Sequence, residues 1–355
     1  MSALGPRSGK DRKALIRADG GRAMGTGHIM RCLALAQAWV GAGLAVPRFA
    51  CAELSPALAE RLAVEGFELM RLDVAPGSPA DAAQTRAAAV AQGAEWVVVD
   101  GYQFGAAFLD ALRGPRLGIL VLDDYGHAQS YPADLLLNQN HDASAALYEG
   151  RVGQTKLLLG TQYCLLRREF LASGEHRRDT PDTASRILIT MGGADAGNCT
   201  ERVLRLLGAI PGLELLVVVG GSNPHLESIQ QAAAALPVPA RVWFNTPEMP
   251  KAMEWAHLAV SAAGSTCWEA ALLGLPLVLL VLSMDQRGIA ESLGLSGVAV
   301  ALGTPESGGL DRLTSALPAL CADAPRRQAM SRAGRRLVDG RGAERVVAAM
   351  LAENL

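Results

Sequence analysis

The sequence predicts an α/β protein built from two doubly wound, Rossmann-like domains. Three observations carry this. A chain of 355 residues is too long for one small core, so two domains is the default. Short apolar runs alternate with longer helical patterns along the whole chain, the signature of parallel βαβ units. The stretch 173–185 is polar and charged, contains Gly174 and Pro181, and is followed by a restart of the same rhythm. The domains are accordingly set at 1–172 and 186–355, with a linker at about 173–185.

In the first domain the apolar runs place strands at 14–18, 46–51, 68–72, 96–99 and 118–122, and 134–137 and 156–159 continue the sheet. Helical patterns lie between them at 29–42, 56–65, 80–92 and 108–112. The first of these is amphipathic through Ile29, Cys32, Leu33, Leu35, Ala36 and Trp39. In the second domain strands are expected at 186–190, 214–219, 240–244, 258–260, 277–281 and 298–301. Helices are expected at 198–207, 224–235, 247–255, 266–273 and 286–293, with several more between 311 and 355. Helix 266–273 is closed by Gly274 and Pro276. Two such domains facing across a cleft would bind ligands beyond the carboxyl ends of their strands.

Composition excludes several classes. A chain that is 50% hydrophobic with 38 glycines is far from disorder. A formal net charge of -2, with no basic block interleaved with aromatics, argues against nucleic acid as a partner. Cys32, Cys51, Cys164, Cys199, Cys267 and Cys321 are scattered without a C-x-x-C pair, so neither structural zinc nor a disulfide framework is expected. His28, His127, His141, His176, His225 and His257 show no metal-ligand spacing, and no metal or cofactor is expected. The start of the chain, 1–12, lacks the apolar core of a signal peptide. The most apolar stretch, 275–282, is too short to span a bilayer. A cytoplasmic protein without stable membrane insertion is the resulting expectation.

The most informative motif is Gly25-Thr26-Gly27-His28, between the first strand and the first helix. Glycines let the backbone approach a ligand closely, and a helix start offers amides and partial positive charge to an anion. The same positive end disfavours imidazolium, so His28 is expected to be neutral and able to accept a proton. A cap at the helix start is the competing role for His28. Gly264-Ser265-Thr266 can present amides and hydroxyls to a diphosphate, with Glu269 one turn on for sugar hydroxyls. The structural alternative is a capping box of Ser265 or Thr266 with Glu269. Other glycine loops are Met191-Gly192-Gly193-Ala194-Asp195 and Gly220-Gly221-Ser222-Asn223. None fits a Walker or dinucleotide fingerprint. Asp123-Asp124 ends an apolar run, and its two side chains would point to opposite faces, which suits a turn better than a metal clamp. Tyr102 in Asp100-Gly101-Tyr102 reaches either the cleft or the core. Asn138-Gln139-Asn140 reads as a turn at a strand end.

In order along the chain, these motifs resemble the UDP-sugar hydrolases of pseudaminic acid biosynthesis (PseG-type). The resemblance rests on Arg17-x-Asp19, Gly25-Thr26-Gly27-His28-x-x-Arg31-Cys32-Leu33-x-Leu35-Ala36 and Asp100-Gly101-Tyr102. It continues through Asp123-Asp124, Leu136-Leu137-Asn138-Gln139-Asn140 and Gly160-x-x-Tyr163-x-Leu165-Leu166-Arg167. Met191-Gly192-Gly193-x-Asp195 and Ala263-Gly264-Ser265-Thr266-x-Trp268-Glu269 complete it. That family is similar in fold and nucleotide site to the GT-B glycosyltransferases, including the MurG type.

The resemblance implies a GT-B fold and metal-independent hydrolysis of UDP-2,4-diacetamido-2,4,6-trideoxy-β-L-altropyranose to UDP and the free sugar. It implies that His28 activates water and that Tyr102 lies near the reacting centre. Gly264, Ser265 and Thr266 would hold the diphosphate, Glu269 the ribose, backbone near 244–249 the uracil, and Gln286 the sugar. Asp19, Gly25, Gly27, Arg31 and Asn138 are implied as substrate-binding positions of the first domain, and Gly192, Gly193 and Asp195 of the second. The tail 311–355 also resembles the ends of longer nucleotide-sugar transferases, so a MurG-like glycosyltransferase using the same donor site is the alternative. A non-catalytic nucleotide-sugar binder is the second.

Overall fold

The computed structural model describes residues 12–21, 24–174 and 178–353. The polar start 1–11, linker residues 175–177 with His176, and the last two residues lie outside the described residues.

The described chain folds into two compact units, each around a parallel sheet. The first unit carries strands β1 (Ala14–Ala18), β2 (Arg48–Cys51), β3 (Glu68–Arg71), β4 (Trp96–Asp100), β5 (Gly118–Leu122), β6 (Leu135–Asn138) and β7 (Lys156–Leu159). Their order in the sheet is β3-β2-β1-β4-β5-β6-β7. Its helices are α1 (Gly27–Gly41), α2 (Pro56–Val64), α3 (Pro79–Gln92) and α4 (Ala106–Leu112). Ser55 and Ser78 cap α2 and α3, each followed by a proline in the first turn, so these helices start where the sequence signals them.

The strands alternate their side chains between two cores. Ile16, Val98, Leu120 and Leu137 bury on one face with α1 and α2. Leu15, Val97, Val99, Ile119 and Val121 bury on the other, with Phe104, Phe108 and Leu109. Burial on both faces is why the strands read as continuous apolar runs rather than alternating ones.

The second unit takes residues 24–27 and the chain from Glu169 to Gly340, so it holds all but the first residue of α5 (Arg168–Ser173), and carries β8 (Arg186–Thr190), β9 (Glu214–Val219), β10 (Ala240–Phe244), β11 (Leu258–Ala262), β12 (Leu277–Leu280) and β13 (Ala299–Ala301). The sheet order is β10-β9-β8-β11-β12-β13. Between and after them run α6 (Cys199–Gly208), α7 (Leu226–Ala234), α8 (Met249–Trp255), α9 (Thr266–Leu272), α10 (Gln286–Leu295), α11 (Leu310–Ala322) and α12 (Ala324–Leu337).

The C-terminus differs from the sequence reading, which kept everything after 186 in the second domain. Helix α13 (Gly342–Ala352) belongs to the first unit. Its apolar stripe, Ala343, Val346, Val347 and Met350, is buried in the same core as α1. Gly342 lies so close to the backbone of Tyr163 and Cys164 that a Cβ would not fit. Among the described residues no helix is long and apolar enough to cross a membrane.

Candidate active site

Both sheets reverse their winding next to their first strand, between β1 and β4 and between β8 and β11. Loops leaving these neighbours diverge, and the gap at their carboxyl ends is where ligands bind in such sheets. The sequence motifs fall at these two switch points.

In the first unit, β1 pairs with β4 so that Ala18 lies opposite Asp100. The chain leaves β1, turns through Gly25 at φ 79°, a left-handed conformation suited to glycine, and enters α1. His28 and Arg31, one turn apart on α1, therefore face the end of β4. His28 Nδ1 lies 2.7 Å from Asp100 Oδ1. Arg31 grips the same carboxylate through Nε to Oδ2 and Nη2 to Oδ1, each at 2.6 Å. Its remaining nitrogen, Nη1, reaches both oxygens of Asp124 at 2.8 and 2.9 Å.

Burial pushes the Asp100 carboxyl up, but the Arg31 charge and the hydrogen bonds of Arg31 and His28 outweigh it and hold the group well below the usual carboxylate range. A carboxylate at Oδ1 can only accept, so His28 Nδ1 carries the proton and donates it. The 3.3 Å approach of Arg31 Nη2 to the same nitrogen is then a donor–donor contact rather than a hydrogen bond. In a neutral ring this leaves Nε2 as the acceptor.

Asp124 also receives the Tyr102 hydroxyl at 2.7 Å and Asn140 Nδ2 at 3.2 Å. The Tyr102 ring meets His28 edge-on, with centroids 5.0 Å apart, and lies 5.0 Å from Tyr125 and 5.6 Å from His127. Asp123 points the other way. It accepts from Gly126 N, Tyr148 Oη and the His127 ring, which makes it the turn-forming residue of the pair. The adjacent carboxylates thus diverge as strand geometry requires. Among the described residues no group of three or more His, Cys, Asp or Glu is arranged to hold a metal ion.

Two first-unit candidates have their polar groups committed inside the fold. Asp19 is fully buried and accepts from Ala52 N, Glu53 N and Gln103, with Arg17 2.8 Å away. It holds the turn after β2. Asn138 is buried on Tyr148 Oη and the Asp124 carbonyl, and its own Oδ1 accepts from Asn140 N in the expected turn. Asp100 and Asp124, which the sequence analysis does not place among the substrate-contacting residues, are the residues that organise this site.

In the second unit, Ser261 pairs with Thr190, so the loops after β11 and β8 lie side by side. Gly264, Ser265 and Thr266 are partly exposed at the start of α9. Ser265 occupies the cap position but makes no side-chain capping bond, so the capping box is not formed. Glu269 is buried, at 8% exposure, in the first turn of that helix. Gly192 adopts φ 81°, and Gly220 packs so closely on Gly193 that a Cβ would not fit. The third glycine loop therefore serves packing. Asp195 caps α6 by accepting from Cys199 N and Thr200 N at 2.8 Å each. Gln286 Oε1 accepts from Leu282 N at 3.0 Å and tethers the start of α10.

With this geometry in hand, comparisons with known proteins agree with the motif-based resemblance. Residues 186–344 match the glycosyltransferase family 28 C-terminal domain. The spore coat polysaccharide biosynthesis protein SpsG of Bacillus subtilis is 27% identical over 270 residues, covering 68% of this chain and 78% of that protein. The UDP-2,4-diacetamido-2,4,6-trideoxy-β-L-altropyranose hydrolase of Campylobacter jejuni is 25% identical over 290 residues, covering 81% of this chain and 98% of that protein. The crystal structure of Acinetobacter baumannii MurG superposes with a TM-score of 0.61 at 18% identity, over 96% of this chain and 100% of that one. The fold is the two-domain α/β GT-B fold.

Proposed function

We propose that the chain is a UDP-sugar hydrolase that cleaves a UDP-linked 2,4-diacetamido-2,4,6-trideoxyhexose to UDP and the free sugar, in nonulosonate (pseudaminic acid) biosynthesis in the cytoplasm. The observation that carries the reading is the His28–Asp100 pair at 2.7 Å. A neutral imidazole with its Nδ1–H held by a carboxylate can serve as a general base through Nε2. The alignment with a hydrolase of that name over 81% of this chain supports the substrate class.

In this reading water attacks the anomeric carbon, His28 takes its proton, and UDP departs as a good leaving group. The nucleotide is assigned to the second unit. Amides and hydroxyls of Gly264, Ser265 and Thr266 take the diphosphate, Glu269 the ribose, backbone near 244–249 the uracil, and Gln286 the sugar. Gly192, Gly193 and Gly25 contribute close backbone approach. No step calls for a metal.

The family 28 match over 186–344 favours a second reading, transfer of the same sugar to an acceptor hydroxyl. One assay separates them. UDP release is followed across a panel of UDP-sugars with and without acceptor alcohols. Hydrolysis gives acceptor-independent UDP release on the diacetamido-trideoxy donor. Release that appears only with an acceptor supports the transferase, and UDP binding without turnover supports a binding protein.

A further inference from the structure

The loop that carries Tyr102 is held on both sides of that residue, by two side chains that the reaction scheme leaves idle. Tyr102 lies just past Asp100, the last residue of β4, with its hydroxyl on Asp124 at 2.7 Å and its ring edge-on to His28. Before it stands Gly101 at φ 149°, a conformation that side chains rarely adopt. A Cβ at Gly101 would lie 2.6 Å from Oε1 and 2.8 Å from Nε2 of Gln103. The Gln103 amide is therefore folded back into the space that Gly101 leaves empty. There its Nε2 donates to Asp19 Oδ2 at 3.0 Å. Asp19 is a fixed anchor: it is fully buried, and its other oxygen accepts from Ala52 N and Glu53 N and lies 2.8 Å from Arg17 Nη1. The backbone is held as well. Phe104 N donates to Gly101 O at 3.2 Å and closes a turn over 101–104. A Cβ at Gly77 would lie 2.2 Å from the Gln103 carbonyl oxygen, so the two backbones are in direct contact.

We propose that Gln103 is a positioning residue: its amide, seated over Gly101 and tied to Asp19, fixes where the Tyr102 ring stands against the His28 imidazole. The fold itself has little need of this bond. Gln103 is half-buried, and Asp19 keeps Arg17 and two backbone amides without it. What the bond restrains is the loop between Asp100 and Phe104, and Tyr102 is the one residue of that loop that touches the His28 ring. The Tyr102 ring flanks an imidazole whose Nδ1 is already on Asp100, and a base acts well only when its ring is held to within about 10–20° of the productive geometry. The inference rests on the reading of His28 as the base. It gives Asp19 a part in the site without contact with substrate. It also explains Gly101, because a side chain there and the Gln103–Asp19 bond exclude one another.

The test is a double-mutant cycle on UDP release from UDP-2,4-diacetamido-2,4,6-trideoxy-β-L-altropyranose, with the full chain. Gln103→Leu keeps the shape of the side chain and removes the donor. It is expected to lower kcat about 3–10-fold, the usual worth of one hydrogen bond, with KM held within about twofold. Tyr102→Ala removes the ring that Gln103 positions. Added to Tyr102→Ala, Gln103→Leu is expected to cost less than about twofold further, because nothing is left to position. A Gln103 that only supports the fold gives losses that multiply, and multiplied losses overturn the inference while the hydrolase reading stands. So does a wild-type kcat in Gln103→Leu. If Gln103→Leu fails to fold, Gln103→Ala removes the same bond without adding apolar surface and is read by the same cycle. A wild type that releases UDP only with an acceptor alcohol overturns the hydrolase reading, and the cycle run with that acceptor then decides the inference. A wild type that releases no UDP under either condition overturns both.

Discussion

His28 Nδ1 and Asp100 Oδ1, 72 positions apart in sequence, meet at 2.7 Å because the β1–β4 pairing brings the end of β4 beside the start of α1. The carboxylate fixes which ring nitrogen carries the proton, and Arg31 fixes the carboxylate. Asp100→Asn is therefore expected to lower kcat by roughly 10²–10⁴-fold with little change in KM, because the amide no longer enforces the Nδ1–H tautomer. Steady-state kinetics checks this, alongside a denaturant melt that reports the separate cost of leaving Arg31 with half its partners. Wild-type kcat in a folded variant removes Asp100 from the mechanism.

The Asp123–His127 pair gives a pH-dependent stability. Burial pushes the Asp123 carboxyl up, but hydrogen bonds from His127, Tyr148 and Gly126 bring it down to about 2. Burial pulls the His127 ring down, and the hydrogen bond and charge of Asp123 more than offset this, so its pKa is raised. A depressed carboxylate contributes stability above its unfolded pKa of about 4 and loses it as pH falls toward the folded value. A raised histidine contributes stability below its unfolded pKa of about 6.5 and loses it as pH rises through the folded value. The stability gap between wild type and His127→Gln should be widest at roughly pH 4–6.5 and shrink on both sides. Urea midpoints across that range measure it, and a gap independent of pH contradicts the pair's role.

Much of this was legible in the sequence, and the limits have physical causes. Strands buried on both faces, such as Val97–Val99 flanked by Trp96 and Asp100, announce themselves as apolar runs. His28 was legible from its glycines and the helix pattern behind it. Asp100 and Asp124 were not, because a carboxylate at a strand end looks the same whether it caps a turn or orients a base. Only sheet order makes them neighbours. Asp100 closes β4, a strand beside the switch point, and Asp124 lies just past β5, the next strand out. Asp19 shows the converse. Its place in a family motif suggested a ligand contact, whereas Arg17 and the amides of Ala52 and Glu53 take its carboxylate. Helix α13 was assigned to the second domain by chain order, but its stripe of Val346, Val347 and Met350 matches the first core.

Glu269 sits in the first turn of α9, beside a Ser265 that makes no capping bond. Glu269→Ala is expected to weaken UDP binding by about 1.5–3 kcal/mol, the worth of hydrogen bonds to a charged group. Calorimetry with UDP measures this. Unchanged affinity moves the nucleotide elsewhere.

The proposed chemistry is metal-independent, because Asp123 and Asp124 diverge and each is fully engaged by protein donors. UDP release should be the same with excess EDTA as with added Mg²⁺. Activity abolished by chelation and restored by Mg²⁺ or Mn²⁺ contradicts this.

The role of His28 is decided by the rate of UDP release by His28→Ala on the diacetamido-trideoxy UDP-sugar, measured beside wild type together with UDP affinity. Turnover is expected to fall roughly 10²–10⁴-fold while UDP binding stays within about twofold, because the base acts on water and not on the nucleotide. Turnover at the wild-type rate in a folded variant would contradict it.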